Sequence, residues 1–164
     1  MAIRLATDRD HDAIWEILEP MLRAGETYPQ PRDMSREQAL AYWFSEEKET
    51  FVWEENGAVL GTYFLKANQL GGGAHVANCG YVTSQTAQGR GIARAMCLHS
   101  LERAKERGFR AMQFNFVVSS NTRAVKLWSD LGFETVGRLP LVFDHPRLGF
   151  VDALVMFRKV SQIP

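Results

Sequence analysis

This chain is short of several things, and each shortage closes a class of function. It has no surplus of charge: 19 Lys plus Arg balance 19 Asp plus Glu over 164 residues. Holding a nucleic-acid backbone takes a basic face, so a DNA or RNA partner is disfavoured. No apolar run approaches the roughly 20 residues of a membrane span, and the opening MAIRLATDRD has no apolar leader. Two cysteines, Cys79 and Cys97, stand at no metal-ligand spacing. No metal and no membrane are therefore expected, and the cytoplasm, with reduced thiols, is the default location. What remains is ordinary for a globular protein, 46% hydrophobic and 23% charged. No repeat, linker or low-complexity tract divides the sequence, so residues 1–164 are expected to form one domain with a real core.

Taken in order, Ile3–Ala6 alternates as a short strand. Thr7 caps a helix whose apolar positions are Ala13, Ile14, Ile17, Leu18, Met21 and Leu22. Pro20 removes one backbone donor and is expected to bend or divide that helix. GETYPQP (25–31) is a loop. Ser35 with Gln38 forms a capping box for a second helix. Strands at 50–54 and 59–65 flank Asn56-Gly57, a tight hairpin turn. A glycine-rich loop leads to a fourth strand, 75–83, then a helix, 92–107. A fifth strand, 111–118, precedes a helix at 122–131 that Asn121 caps and Gly132 ends. Strands at 133–142 and 150–159 close the chain. The order β-α-α-β-β-β-α-β-α-β-β implies a mixed α/β sheet with helices on both faces.

The most informative stretch joins the fourth strand to its helix: Gln88-Gly89-Arg90-Gly91-Ile92-Ala93. A strand that breaks into a glycine turn and opens a helix leaves backbone N–H groups free at the positive end of the helix dipole, a ready anion site. Glycine lets a ligand approach the backbone closely. A P-loop would need Gly-Lys and then Ser or Thr, but Ile92 and Ala93 follow Gly91. A dinucleotide loop needs a third glycine, and Arg94 stands there. The third candidate is a pyrophosphate loop for coenzyme A.

Gln88-x-x-Gly91-x-Ala93 resembles motif A of the GNAT superfamily of N-acetyltransferases. NTRAVKLWSDLGF (121–133) resembles motif B of the same superfamily through Asn121, Ala124, Leu127, Gly132 and Phe133. The two motifs stand in the right order inside the right β-α-β-α-β context, and with that context the resemblance covers nearly the whole chain. The resemblance implies a GNAT fold: a mostly antiparallel sheet with the fourth and fifth strands splayed apart. It also implies acetyl-CoA as co-substrate. Its pyrophosphate would lie on Gln88, Gly89, Arg90, Gly91, Ile92 and Ala93, and its pantetheine along Tyr81, Val82 and Thr83 like an added strand. Asn121 and Trp128 would complete the cofactor site. A neutral amine then attacks the thioester directly.

The sequence departs from the superfamily pattern at two places. The fourth strand lacks the carboxylate that often serves as base and offers His75, Asn78, Cys79 and Tyr81 instead. The usual tyrosine after Leu127 is replaced by Trp128, whose indole N–H donates a hydrogen bond but releases no proton at neutral pH. Three asparagines stand out instead: Asn78, Asn115 and Asn121. Amides inside strands need partners when buried. Asn78 and Asn115 either pin strand ends, or polarise the thioester carbonyl and hold the substrate, with Asn121, as catalytic groups. This set, with VVSSNTRAVKLW, is similar to that of fungal acetyltransferases acting on azetidine-2-carboxylate and other proline analogues.

Glu26 and Tyr28, in the loop between the first two helices, either bind the acceptor or belong to a solvated loop. His75 is a candidate base. His145 and Arg147, in the last turn, are candidates for holding a carboxylate. Arg90 and Arg94 suit a phosphate. Cys79 is either an acyl-accepting nucleophile or a small strand residue. The expected activity is acetyl transfer to a small-molecule amine, an amino acid or analogue. Acetylation of a protein or peptide and a non-catalytic acyl-CoA-binding or sensing module are the alternatives. A homodimer is expected, as the C-terminal strands often mediate dimers in this superfamily.

Overall fold

A computed structural model describes residues 1–161. One seven-stranded sheet runs through it: β1 (Ala2–Leu5), β2 (Glu49–Glu55), β3 (Ala58–Ala67), β4 (Val76–Thr83), β5 (Ala111–Val118), β6 (Glu134–His145) and β7 (Gly149–Lys159), in the spatial order β1-β2-β3-β4-β5-β7-β6. Every neighbouring pair is antiparallel except β4 and β5, which are parallel. Parallel neighbours need a crossover, supplied here by helix α3 (Ile92–Glu106). Helices α1 (His11–Ala24) and α2 (Arg36–Trp43) cover one face; α3 and α4 (Thr122–Asp130) pack on the other.

The two faces hold separate apolar cores, as the alternation of strand side chains requires. Val52, Phe64 and Val82 point toward Ile14, Leu18 and Trp43, while Tyr63, Leu65 and Cys79 point toward Met96, Cys97 and Leu101. A buried hydrogen-bond chain fixes α2 to the sheet. The Trp43 indole donates to Thr62 Oγ1 at 2.9 Å, Thr62 Oγ1 donates to the Phe51 carbonyl at 2.9 Å, and Thr50 Oγ1 donates to the Trp43 carbonyl at 2.8 Å. These bonds satisfy groups that would otherwise be costly to bury.

Local expectation and structure part at Pro20. Pro20 does not divide α1, which runs unbroken from His11 to Ala24 and ends on Gly25 at φ 63°. Its missing N–H costs one bond, and the helix is carried by Ile14, Ile17, Leu18 and Leu22 packed beneath it. β6 contains Pro140, as the strand reading at 133–142 requires. The strand continues to His145 through a shift of register between Leu139 and Phe143, where Leu141 takes φ 53° and its amide donates to Asp152 Oδ1 at 2.9 Å. Among the described residues no helix is long and apolar enough to cross a membrane.

The entrance to α1 is tied down by a buried carboxylate. Asp10 accepts from both terminal nitrogens of Arg4 at 2.9 Å and from the Thr7 amide at 2.7 Å. The Arg4 guanidinium first, and Thr7 after it, hold the Asp10 carboxyl down at about 2 against the opposing effect of burial. A depressed folded-state value means stability that is complete above the unfolded value near pH 4 and fades as pH falls toward 2. Asp10→Asn should therefore lower stability by about 1 kcal/mol at pH 7. The difference from wild type should shrink between pH 4 and 2, read as urea midpoints across pH.

Candidate active site

The site is the gap between β4 and β5. The two strands pair only at Val76↔Ala111 and Ala77↔Met112. Beyond that each follows its other neighbour: β4 stays paired with β3 as far as Gly61↔Thr83, and β5 follows β7. The resulting wedge opens into a cavity of about 870 Å³.

At one end lies the turn into α3. Gly89 and Gly91 have φ of 78° and 79°, the left-handed region that only glycine enters freely, and a Cβ at either would point into open space. No side chain caps α3, so the amides of its first turn keep their unsatisfied donors. Gln88, Gly89, Gly91, Ile92 and Ala93 line this end. So do Arg94 and Arg123, neither in an ion pair among the described residues; Arg123 lies 3.4 Å from Gln88 Oε1. The Arg90 side chain turns away and pairs with Glu55 of the β2–β3 hairpin, leaving only its backbone in the turn. Free amides, a helix dipole, unpaired cations and no obstructing Cβ fit a pyrophosphate.

In the middle, Tyr81, Val82 and Thr83 line the cavity on the unpaired side of β4. The Tyr81 ring lies across the sheet against Trp128, with centroids 5.1 Å apart, and its hydroxyl meets Ser100 Oγ at 2.6 Å. Trp128 is 8% exposed and also packs on Phe114. Asn121 Oδ1 accepts from the Ala124 amide at 3.3 Å, capping α4 and leaving its side-chain N–H groups without a partner among the described residues.

Asn78, Asn115 and Asn121 all line the cavity, and no hydrogen bond joins them to one another. Asn78 Nδ2 donates to the Gln113 carbonyl across the wedge at 2.9 Å, just where pairing stops. Asn115 sits where β5 slips register against β7, between Phe114 and Val117. This irregularity exposes it and joins it to Asn68 Oδ1 at 2.6 Å and to Gln113 Nε2 at 2.9 Å. Asn68 and Gln113, neither of them in the cavity lining, were not foreseen from sequence: Gln113 lies two residues before Asn115 on the same strand face, and Asn68 comes from just beyond β3, 47 residues away in sequence. Arg123 was missed as well, although a cation two residues past a helix cap was a readable signal.

At the far end are Glu26, Thr27, Tyr28, Pro29 and Gln30 from the α1–α2 loop. Tyr28 rests its hydroxyl on Gly80, where an added Cβ would clash with it and stand 2.7 Å from the Phe64 ring. Burial raises the Tyr28 phenol well above its ordinary value, so it stays a neutral hydroxyl. Lys48 lies over the Tyr42 and Phe64 rings at the back of this wall, its ammonium pushed down to about 8 by burial and then by Lys66.

Several candidates fall away. Burial raises the Cys79 thiol far above the range where a thiolate forms, which removes it as a nucleophile, and Cys97 is pushed up to about 12. His145 is buried and does not reach for a ligand: its Nδ1 accepts the Arg147 and Leu148 amides, each at 3.2 Å. His75 lies outside the cavity lining, just before β4. No cluster of three or more His, Cys, Asp or Glu suited to a metal occurs among the described residues.

The family profile described as "Acetyltransferase (GNAT) family" matches residues 11–133, which span α1, the α3 turn and all of α4. This chain belongs to the GNAT acetyltransferase family. It is accordingly an acetyl-CoA-dependent N-acyltransferase. Among solved structures it is similar to a GCN5-related N-acetyltransferase from Kribbella flavida, at 40% identity and a TM-score of 0.92, with 96% of each chain covered. Its sheet and helices also match yncA of Salmonella typhimurium, solved with its cofactor acetyl-CoA, at a TM-score of 0.87 and 22% identity over 100% of this chain and 96% of that one. Among characterised sequences it is 28% identical over 156 residues to the N-acetyltransferase aca1 of Schizosaccharomyces pombe, covering 82% of this chain and 72% of that protein.

The turn yields a direct test. Gly91→Val forces a β-branched residue to φ 79° and fills the open side of the turn. It should weaken acetyl-CoA binding by about tenfold or more, measured by calorimetry. An unchanged dissociation constant would remove the pyrophosphate from this turn.

Proposed function

We propose that residues 1–164 form one N-acetyltransferase domain that moves the acetyl group of acetyl-CoA to the amine of a small molecule, an amino acid or a close analogue. The observation that carries this reading is the continuity of the cavity. It runs from the α3 turn, through the β4–β5 wedge, to Glu26 and Tyr28, so cofactor and acceptor can meet end to end.

Each part has a physical role. The amides of Gln88, Gly89, Arg90, Gly91, Ile92 and Ala93, with Arg94 and Arg123, hold the pyrophosphate. The unpaired edge at Tyr81, Val82 and Thr83 pairs with the pantetheine amides, and a free Asn121 N–H donates to one of their carbonyls. Acetyl-CoA supplies an acyl group already activated as a thioester. Asn78, Asn115 and Asn121 gather amides around the carbonyl, where negative charge develops. The acceptor amine attacks directly, because the buried Cys79 thiol offers no acyl-enzyme route. Trp128 walls this point with its indole and shields it from water. The departing sulfur takes its proton from solvent or from the acceptor's own ammonium, since no tyrosine stands at position 128.

A polypeptide acceptor is the second reading. Against it stands the Glu26–Arg147 ion pair, at 2.9 Å, which ties the α1–α2 loop to the β6–β7 turn beside the cavity.

We also infer a homodimer. β6 is an edge strand, and Leu141, Val142, Leu148 and Phe150 beside it are exposed, Phe150 by 67%. A neutral net charge leaves no long-range repulsion between copies. Phe150→Asp should shift the protein toward monomer in sedimentation velocity.

A free-thiol assay with acetyl-CoA and a panel of amino acids, amines and peptides tests the activity: turnover is expected with small amines, and turnover with peptides alone would overturn the reading. Asn115→Ala should lower kcat on the order of 10-fold or more and leave the acetyl-CoA dissociation constant near that of wild type. Equal loss of both would reduce Asn115 to a structural bracket for Asn68 and Gln113.

A further inference from the structure

Glu26 is the only carboxylate among the described residues that line the cavity, and it is already taken. Its partner, Arg147, comes from the β6–β7 turn and meets Glu26 Oε1 at 2.9 Å. The Glu26 side chain is 35% exposed and that of Arg147 74%. The cations that line the cavity, Arg94 and Arg123, lie at the pyrophosphate end, and Arg147 reaches the acceptor end through Glu26 from just outside the lining. Lys48 lies behind the Tyr42 and Phe64 rings. Arg147 is thus the cation poised at the acceptor end.

The turn that carries Arg147 is built to hold still. His145 is 5% exposed, and its Nδ1 accepts the amides of both Arg147 and Leu148. The backbone of Arg147 is fixed by this bond while its guanidinium stays in water. Such a pair is weak, because both charges remain solvated. A guanidinium is also a planar fork that takes any carboxylate equally well by geometry.

We propose that Arg147 binds the carboxylate of the acceptor, and that Glu26 occupies that place until the acceptor arrives. This deepens the small-amine reading above and rests on it. An α-amino or α-imino acid enters as a zwitterion. Its carboxylate replaces that of Glu26 on Arg147, and the released Glu26 carboxylate meets its ammonium. Two charges are exchanged for two, so the net charge of the entrance does not change. An amine without a carboxylate leaves the pair closed and gains neither contact.

The test compares matched acceptors: proline with prolinamide, azetidine-2-carboxylic acid with its carboxamide, and leucine with leucinamide. Initial rates with acetyl-CoA are taken for wild type, Arg147→Ala and Arg147→Lys. Wild type should prefer the acids. Arg147→Ala should lower the acid-over-amide ratio of kcat/KM by about tenfold or more, as expected for losing a charge-assisted contact. The loss should lie in the KM of the acid. Arg147→Lys should restore part of the ratio, and the dissociation constant for acetyl-CoA should match wild type in both variants. A wild-type preference for the amides, an unchanged ratio in Arg147→Ala, or an equal fall for acid and amide would overturn the assignment while leaving small-amine transfer standing. Wild type that turns over none of these six amines would overturn both.

Discussion

Val76 and Ala77 are the last residues of β4 to hydrogen-bond to β5, and the site depends on what happens after them. A parallel pair in a sheet normally continues as far as both strands run. Here each strand is held more firmly from its outer side. Seven consecutive residues of β4 stay in register with β3, from Ala67↔Ala77 to Gly61↔Thr83. β5 is carried off by β7 and slips register at Asn115 and Phe116. The two strands are pulled apart, and the free amides and carbonyls left on the inner edge of β4 are the kind of edge that takes up an extended ligand. Asn78 closes the apex of the wedge with one side-chain bond to the Gln113 carbonyl.

The rest of the molecule shapes that wedge. The crossover that makes β4 and β5 parallel also places the α3 N-terminus at one mouth. Gly89 and Gly91 let the turn reach left-handed geometry without a side chain in the way. On the other face, Gly80 lets Tyr28 rest directly on β4, which brings the α1–α2 loop down over the acceptor end. Phe114, Tyr81 and Trp128 form an aromatic wall of tilted and edge-on rings between the two halves. Trp128 offers an indole N–H there, which donates a hydrogen bond but releases no proton. Fixed dipoles in a walled space suit a reaction that creates charge on one oxygen.

Much of this was legible in the chain. The element order followed from periodicity and from punctuation such as Asn56-Gly57, Ser35 with Gln38, and Asn121, each with a local cause acting within a few residues. The α3 turn was legible because an anion site at a helix N-terminus is written in consecutive positions. The other half of the site was not. The slip that exposes Asn115, the partnership of Asn68 with Asn115, the seat of Tyr28 on Gly80 and the Glu26–Arg147 pair join residues far apart in sequence. The three asparagines line one cavity, each with its own partner: Asn78 on the Gln113 carbonyl, Asn115 on Asn68 and Gln113, and Asn121 on the Ala124 amide. Arg90, a cation beside a phosphate loop by sequence, spends its charge on Glu55 because the β2–β3 hairpin reaches it. His145 and Cys79 are reactive by composition and inert by burial.

The wedge as cofactor site can be tested directly by hydrogen exchange on the intact protein, with and without acetyl-CoA. Protection should rise at the amides of Gly91 to Arg94 and along Tyr81 to Thr83, the two stretches left without partners by the α3 turn and by the divergence of β4 from β5. The paired β2–β3 hairpin should change little. No added protection at either stretch, or protection confined to another face of the sheet, would contradict the assignment of the wedge.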